Sequence, residues 1–180
     1  MIYYAGIGSR ETPSEILKLF ENVGKFLASK GFILRSGHAP GSDISFENGV
    51  DKVNGKKEIY LPWRNFEGSD SEFIVSDIRA FKLTELYHPY WSNLKQSSRK
   101  LQARNSHQVL GWDLNTPSKF IICWTKNGKE VGGTAQALRI ANEYDIPIFN
   151  CGVFNDINIL KLELKEFLIN NTDLEESDFK

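Results

Sequence analysis

The chain has 180 residues, a length that allows one domain with a proper hydrophobic core. Hydrophobic residues make up 41% and charged residues 25%, values that are ordinary for a soluble globular domain. A formal net charge of -1 excludes a global basic field that would attract nucleic acid, and leaves only a local basic face for that purpose.

The cysteines, the histidines and the N-terminus argue against several further classes of protein. Cys123 and Cys151 each lie beside a predicted buried strand, which is typical of free thiols in a reducing cytosol. The histidines are scattered, and no cysteine spacing resembles a metal-ligand pair, so neither a metal site nor a cofactor is predicted. The N-terminus has no basic region and no long apolar stretch, and we therefore expect no signal peptide and no membrane span.

Short β-prone runs alternate with helical patterns in the first half of the chain. Apolar residues at helical spacing from Ile16 to Leu27 predict a helix that Gly31 ends. Asp43 suits a helix start, because its carboxylate can accept hydrogen bonds from first-turn N–H groups. The predicted elements are a strand over residues 2–5, this first helix, a strand over 32–34, a helix from residue 43 and a strand over 58–61.

The second half of the chain continues the alternation. Residues 120–124 form a nearly unbroken apolar run, as expected for a central parallel strand covered on both faces. The alternation predicts an α/β fold with a doubly wound parallel sheet, right-handed crossovers and helices on both faces. We expect a single domain over residues 1–170 and an acidic, frayed tail over 171–180. The other predicted elements are helices over residues 73–86 and 94–110, a helix after Thr134, a strand over 146–149 and a helix over 157–168.

Three glycine-containing segments follow predicted strands, at residues 6–10, 36–43 and 132–134. In parallel sheets, ligands bind beyond the carboxyl ends of the strands, where such segments meet. Glycines let the backbone approach an anion closely, and the N–H groups at the start of a following helix point towards it. A tight turn with a capped helix would produce the same pattern at any one segment. Because the pattern occurs three times, the sequence predicts a shared phosphate or nucleotide site.

Three stretches of the chain together resemble the SLOG superfamily. They are GIGSR near the N-terminus, RSGHAPGSDISFENG after the second strand, and WTKNGKEVGGTAQALRIA near the C-terminus. The resemblance spans residues 4–150 and is strongest to small phage and bacterial members of unassigned function. The superfamily has a Rossmann-like fold and includes the cytokinin-activating LOG proteins and the DNA-processing protein DprA. The resemblance implies a nucleotide or nucleotide-derived ligand, with its phosphate on the loops at residues 8–10 and 132–134.

Resemblance to LOG proteins bears on whether the chain is an enzyme. LOG proteins hydrolyse the N-glycosidic bond of nucleoside monophosphates, with a motif of the form GGxGTxEE and an arginine from another helix. The corresponding stretch, GGTAQA, lacks the intervening residue and glycine, and Gln136 and Ala137 stand where the two glutamates would be. An amide cannot act as a carboxylate base, which argues against LOG-type catalysis. Arg104 and Asn105 resemble the position of the helix-borne arginine, which argues for it.

Residues on these segments are candidates for ligand contacts, and each has a structural alternative. Arg10 suits a phosphate through its forked guanidinium, and is otherwise a solvated surface arginine. Ser9 and Thr134 can donate to the same phosphate or cap helices. Trp124, at a strand end, is the best candidate among the tryptophans for stacking on a base. The predicted ligand-binding residues are Gly8, Ser9, Arg10, Ser36, Gly37, Gly41, Asp43, Arg104, Asn105, Trp124, Thr125, Gly132, Gly133, Thr134 and Gln136.

Two carboxylates in the second segment are candidates for catalysis. Asp43 and Glu47 lie one helical turn apart, so both can share one face and act on a ribose or a glycosidic bond. The alternative is a capping aspartate followed by an exposed glutamate. The candidate catalytic residues are Glu47, Asp43 and Arg104.

Three functions stay open at this point. The first is a sensor or sponge that sequesters a nucleotide-derived signal, for example in phage counter-defence, and the missing glutamates favour it. The second is a nucleotide N-glycosidase that releases a free base from a nucleoside monophosphate. The third is a DprA-like binder of single-stranded DNA, which the near-neutral charge disfavours. We expect a homodimer or higher homo-oligomer without a membrane partner, located in the cytoplasm (of the host cell for a phage protein).

Overall fold

Five strands form one all-parallel sheet in the computed structural model, which describes residues 1–179. The strands are β1 (Ile2–Gly8), β2 (Phe32–Ser36), β3 (Lys57–Ile59), β4 (Ile121–Trp124) and β5 (Ile148–Asn150). The helices are α1 (Ser14–Ser29), α2 (Ser42–Asp51), α3 (Ile78–Tyr87), α4 (Gln96–Leu110), α5 (Thr134–Glu143) and α6 (Ile157–Asn171). This architecture confirms the predicted α/β class and its Rossmann-like, doubly wound parallel sheet.

The order of the strands, β3-β2-β1-β4-β5, reverses next to β1. The chain moves outward from β1 through β2 to β3, and then crosses to the other side of β1, where β4 and β5 follow. At the carboxyl end of the central pair, Gly8 of β1 lies opposite Trp124 of β4. Loops diverge from this point in opposite directions, and in sheets of this kind they leave a crevice in which ligands bind.

The sheet is covered on both faces, because successive side chains of a strand point to opposite sides. Tyr4 packs into the larger core, together with apolar residues of α1, α2 and α6. Its neighbour Ala5 packs into the second core, which α4 and α5 complete. Along β4, Ile122 belongs to the larger core, whereas Ile121 and Cys123 belong to the second. This double covering explains the unbroken apolar run of β4.

Two glycines bring α1 and α2 into direct backbone contact. A β-carbon at Gly24 of α1 would overlap the carbonyl oxygen of Phe46 in α2. A β-carbon at Gly49 of α2 would overlap the carbonyl oxygen of Glu21 in α1. Because the overlap is with backbone atoms, no side-chain rotation would relieve it. The two helices are therefore interlocked at two points, and this contact holds α2 in place against the sheet.

The predicted helix over residues 73–86 is wrong in its first turn. Residues 73–77 are not helical, Ile74 forms a β-bridge with Leu61, and α3 begins only at Ile78. The N–H of Leu61 donates to the carbonyl of Phe73 (2.8 Å), and the N–H of Val75 donates to the carbonyl of Leu61 (2.9 Å). This short parallel bridge uses the backbone groups that a first helical turn would need. The Asp77 carboxylate then caps α3 by accepting from the N–H of Arg79 (2.8 Å).

The segment after α6 lies against α1. Leu174 is buried in the larger core, and the ring of Phe179 packs on that of Phe26 at 4.9 Å between centroids. The Nζ of Lys30 also donates to the carboxylate of Asp178 (2.8 Å). The division into a domain over residues 1–170 and a tail over 171–180 stays a prediction, and Lys180 lies outside the described residues. Within residues 1–179, no helix combines the length and the apolar character that crossing a bilayer requires.

The contact between α1 and α2 predicts a large effect for one small substitution. Gly49→Ala would place a methyl group on the backbone of Glu21, and the strain would outweigh the better helix propensity of alanine. We expect the free energy of unfolding to fall by about 3 kcal/mol, measured by urea denaturation. Gly133→Ala is the matched control, because a β-carbon at Gly133 meets no atom within 4 Å. Equal stability of the two variants would contradict the interlocked packing.

Candidate ligand-binding site

A cavity of about 510 Å³ lies at the carboxyl ends of β1 and β4, at the point where the strand order reverses. Five segments line it: the end of β1 with its following loop, the start of α2, one face of α4, the loop after β4 and the start of α5. The structure therefore brings together most of the predicted ligand-binding residues. Those that line the cavity are Gly8, Ser9, Arg10, Asp43, Arg104, Asn105, Thr125, Gly132, Gly133 and Thr134.

The carboxylate of Asp43 ties the start of α2 to the end of β1. The backbone N–H of Gly8 donates to its Oδ1 (3.2 Å), and that of Ala39 donates to its Oδ2 (3.4 Å). The side chain is buried, and it forms part of the cavity wall. Burial raises the pKa of Asp43 to about 6, although the guanidinium of Arg104 and the two N–H donors act in the opposite direction. The cavity thus holds a carboxyl group that titrates not far below neutral pH.

Glycines on the β1 side of the cavity are required by the packing of the protein itself. A β-carbon at Gly8 would overlap the side chain of Ser42, whose hydroxyl lies 2.7 Å from that of Thr12. Gly41 has a φ of 95°, and a β-carbon there would lie 2.7 Å from the carbonyl oxygen of Ser9. The loop after β1 and the start of α2 therefore press against one another. These two glycines serve loop packing whether or not a ligand is bound.

Glycines on the α5 side have open space around them instead. Gly132 has a φ of 71°, and a β-carbon at Gly132 or Gly133 would meet no protein atom within 4 Å. No side chain caps the start of α5, which borders the cavity. The Nδ2 of Asn105 donates to the carbonyl of Gly133 (2.8 Å) and holds the loop in place. An uncapped helix start with room in front of it is suited to an anion.

Arg104 supplies a buried positive charge at the cavity wall. Its Nη1 donates to the carbonyl of Gly37, where a β-carbon would lie 2.8 Å from the guanidinium carbon. The guanidinium also lies over the ring of Phe66, at 4.9 Å from the centroid. Among the described residues, no carboxylate forms a salt bridge with Arg104, and its buried Nε has no hydrogen-bond partner. Burial lowers the pKa of this guanidinium.

Arg10 lies at the rim of the cavity, where it pairs with Glu67. The two side chains are 3.0 Å apart, and the Arg10 side chain keeps 59% of its surface exposed. Glu67 and its neighbour Asn65 both adopt positive φ values, of 50° and 58°. Between them, the buried ring of Phe66 reaches in beneath Arg104. This short strap, residues 65–67, therefore contacts both arginines of the site.

Several other predicted residues lie outside the cavity. The Ser36 hydroxyl donates to the carbonyl of Gly6 (2.6 Å) within the sheet. Trp124 is half-buried against the larger core and does not line the cavity. The buried amide of Gln136 is turned towards α3, where its Nε2 donates to the carbonyl of Thr84 (3.1 Å). Gly37 and Gly41 shape the wall from behind, through the contacts given above.

Glu47 faces a second, smaller cavity of about 360 Å³ rather than the first. Its Oε1 lies 2.8 Å from the Nδ1 of His38, and the Nζ of Lys57 donates to its Oε2 (3.3 Å). Both partners of this buried carboxylate lie outside α2. The spacing of Glu47 from Asp43 along the helix therefore could not predict them. Of the residues that the structure describes, no three His, Cys, Asp or Glu side chains are grouped so as to hold a metal ion.

Sequence reasoning missed part of the wall that α4 contributes. Gln102 and Gln108 line the cavity on the same face as Asn105, and Lys126 adds a cation from the loop after β4. The only signal in the sequence is the polar pattern of α4, which is equally typical of a solvated helix face. The last eight residues of α4, polar ones included, are in fact buried.

Comparisons with known proteins support the fold. No protein-family model matches the chain, and no curated protein does. A structure of the molybdenum cofactor carrier protein of Chlamydomonas reinhardtii has 15% identity and a TM-score of 0.54, covering 95% of this chain and 88% of the carrier. A second structure of that carrier has 17% identity and a TM-score of 0.53, covering 84% and 77%.

DNA processing protein A of Helicobacter pylori, whose structure concerns its single-stranded DNA binding mode, is similar as well. It has 22% identity and a TM-score of 0.55, covering 92% of this chain and 81% of that protein. At this level of identity, the likeness to all three structures shows a shared fold. Because DprA is one of the proteins that the SLOG resemblance includes, the likeness agrees with that resemblance at the level of the fold.

The carboxyl group of Asp43 makes the stability of the fold depend on pH. Its pKa is raised from 3.8 to about 6, so the folded protein binds this proton more tightly than the unfolded chain does. The resulting stabilisation is fully present below about pH 4, and about 3 kcal/mol of it is lost as the pH rises through about 6. Chemical denaturation of the wild type and of Asp43→Asn across this range measures the difference. A difference that stays constant with pH would show that the folded pKa is ordinary.

Proposed function

We propose that the cavity binds a nucleotide or nucleotide-derived molecule through a phosphate group and holds it without turning it over. The observation that carries the proposal is the uncapped, open start of α5 facing the same cavity as the buried guanidinium of Arg104. Backbone N–H groups and a guanidinium are the two kinds of donor that proteins use most for phosphate. A volume of about 510 Å³ lies in the range of small-molecule sites.

The charges around the cavity support an anionic ligand. Arg10, Arg104 and Lys126 line it, against Asp43 and Glu11. The raised pKa of Asp43 means that this carboxyl gives up its proton less readily than an exposed aspartate. Arg104 has no carboxylate salt bridge among the described residues. The residues that line the cavity therefore carry one more positive than negative charge, although Glu67 pairs with Arg10 at the rim, and the chain as a whole is nearly neutral.

Binding without turnover is favoured by where Glu47 and the amide of Gln136 lie. Glu47 is engaged by His38 and Lys57 in the second cavity, and the amide of Gln136 is bonded to the carbonyl of Thr84. Neither is available to act on a ligand beside Arg104. We propose accordingly that the chain sequesters a nucleotide-derived signal, in the manner of a phage counter-defence sponge, and works in the cytoplasm as a homodimer or higher homo-oligomer. Sedimentation showing a monomer at micromolar concentration would overturn the oligomer.

A ligand panel tests the function directly. Pure protein is incubated with mononucleotides, cyclic dinucleotides, ADP-ribose derivatives and the molybdenum cofactor, and then filtered. Chromatography of the filtrate, before and after denaturation of the retained protein, identifies what was bound. We expect an intact phosphate-bearing molecule to be retained and recovered unchanged. Retention of none of these compounds would overturn the proposal, and salt-dependent binding of single-stranded DNA would then identify the DprA-like alternative.

One substitution at the start of α5 separates phosphate binding from folding. Gly133→Asp would add a β-carbon that meets no protein atom within 4 Å, and would put a negative charge at the start of α5, where the helix dipole favours it. We expect the fold to stay as stable as in the wild type, while affinity for the retained anion falls at least about tenfold through repulsion. Gly133→Asn is the control, since it has the same shape without the charge. Equal losses in both variants would argue for crowding rather than for a phosphate at this position.

A second candidate function, hydrolysis of an N-glycosidic bond, is favoured by Asp43 alone. Its carboxyl lies in the wall of the same cavity, and a pKa of about 6 is suited to exchanging a proton near neutral pH. The same panel tests this activity, because a hydrolase would release a free base into the filtrate. Loss of that base with Asp43→Asn, but with ligand retention unchanged, would establish the enzyme.

A further inference from the structure

Three amide side chains form a row along the face of α4 that borders the cavity. Gln102, Asn105 and Gln108 are spaced three residues apart, which places them on one side of a helix. All three line the cavity, together with Arg104. They extend from its half-exposed end at Gln102 to the buried side chain of Gln108, which is 2% exposed.

The hydrogen bonds of this row leave groups free for a ligand. The Nδ2 of Asn105 donates to the Oε1 of Gln102 (3.3 Å) and to the carbonyl of Gly133 (2.8 Å). Among the described residues, the Oδ1 of Asn105, the Nε2 of Gln102 and the whole amide of Gln108 take part in no hydrogen bond. The side chain of Gln108 is buried as a whole, but its amide atoms still reach the cavity, where a ligand can replace water as their hydrogen-bond partner. The unpartnered, buried Nε of Arg104 lies on the same helix.

The cavity has no stacking surface for a base. None of the residues that line it, within the described part of the chain, is aromatic, and Trp124 and Phe66 lie outside the lining. Recognition of a planar ring by stacking therefore has no platform here. An amide, in contrast, offers a donor and an acceptor side by side, and this pattern matches the hydrogen-bonding edge of a nucleobase.

We propose that the amide row of α4 reads the base of a nucleoside monophosphate by its hydrogen-bonding edge, while the start of α5 holds the phosphate. This inference rests on the proposed function and narrows it. The ligand class becomes nucleotides whose base carries a donor next to an acceptor, and sugar phosphates without a base bind weakly. Gln102 and Gln108 are the residues that determine specificity, and they act by contact with the base rather than with the phosphate.

Titration calorimetry with AMP, GMP, CMP, UMP and ribose 5-phosphate tests the inference. We expect at least one nucleotide to bind the wild type ten times more tightly than ribose 5-phosphate does. Gln108→Leu, of similar size, should remove most of that preference and leave the affinity for ribose 5-phosphate within twofold. Because Gln108 is buried, Gln102→Leu serves as a second variant on the half-exposed end of the row, with the same pattern expected at smaller size.

Each outcome decides one of the two proposals. Equal binding of the nucleotides and ribose 5-phosphate by the wild type would overturn the reading of the base and leave phosphate binding intact. The reading of the base is overturned in the same way if the two leucine variants weaken ribose 5-phosphate as much as the nucleotides. If no compound binds the wild type, the role of the amide row in reading a nucleoside monophosphate fails, and the wider ligand panel decides whether the proposed function fails as well. Gly133→Asp should weaken all five compounds, in contrast to the leucine variants.

Discussion

A single buried carboxylate connects the fold to the cavity. Asp43 accepts N–H groups from the last residue of β1 and from the loop that follows β2, so it holds together the two strand ends that form one side of the crevice. Burial of this carboxyl group raises its pKa to about 6. The positions of Gly8, of the loop after β1 and of the first turn of α2 all depend on this contact. The same side chain also faces the cavity, so structure and site share it.

The two sides of the cavity are built on different principles. On the β1 side, neighbouring protein atoms pack closely against Gly8 and Gly41, and the loops contact each other. On the α5 side, Gly132 and Gly133 face open space, and the helix start has no cap. Glycine therefore has two different roles at this cavity. On the β1 side it permits close packing of the loops, and on the α5 side it leaves space unoccupied. From α4, Arg104 donates to the carbonyl of Gly37, and its neighbour Asn105 donates to the carbonyl of Gly133 on the α5 side.

The sequence predicted which loops meet at the cavity better than it predicted the orientation of their side chains. Alternating strands and helices imply a parallel sheet, and loops at its carboxyl edge must meet, so Ser9, Arg10 and Thr134 could be assigned to one region. Spacing within α2 could not reveal that Glu47 is held by Lys57 from β3. For Gln136, likewise, the partner is a carbonyl of α3, distant in the chain. Gln102 and Gln108 belong to no motif, and only the tertiary packing of α4 distinguishes them from solvated residues.

The interlock of α1 and α2 has a consequence for how the cavity adapts to an occupant. Gly24 and Gly49 each lie against the backbone of the other helix, so a shift of α2 towards α1 would bring backbone atoms into overlap. The wall that carries Asp43 is therefore held in place on that side. On the opposite wall, a β-carbon at Gly132 or Gly133 would meet no protein atom within 4 Å, whereas Gly128 is packed against Val153. The turn before α5 therefore has more room to move than α2 does. We expect an occupant that differs in size from the cavity to displace Gly132 and Gly133 rather than α2.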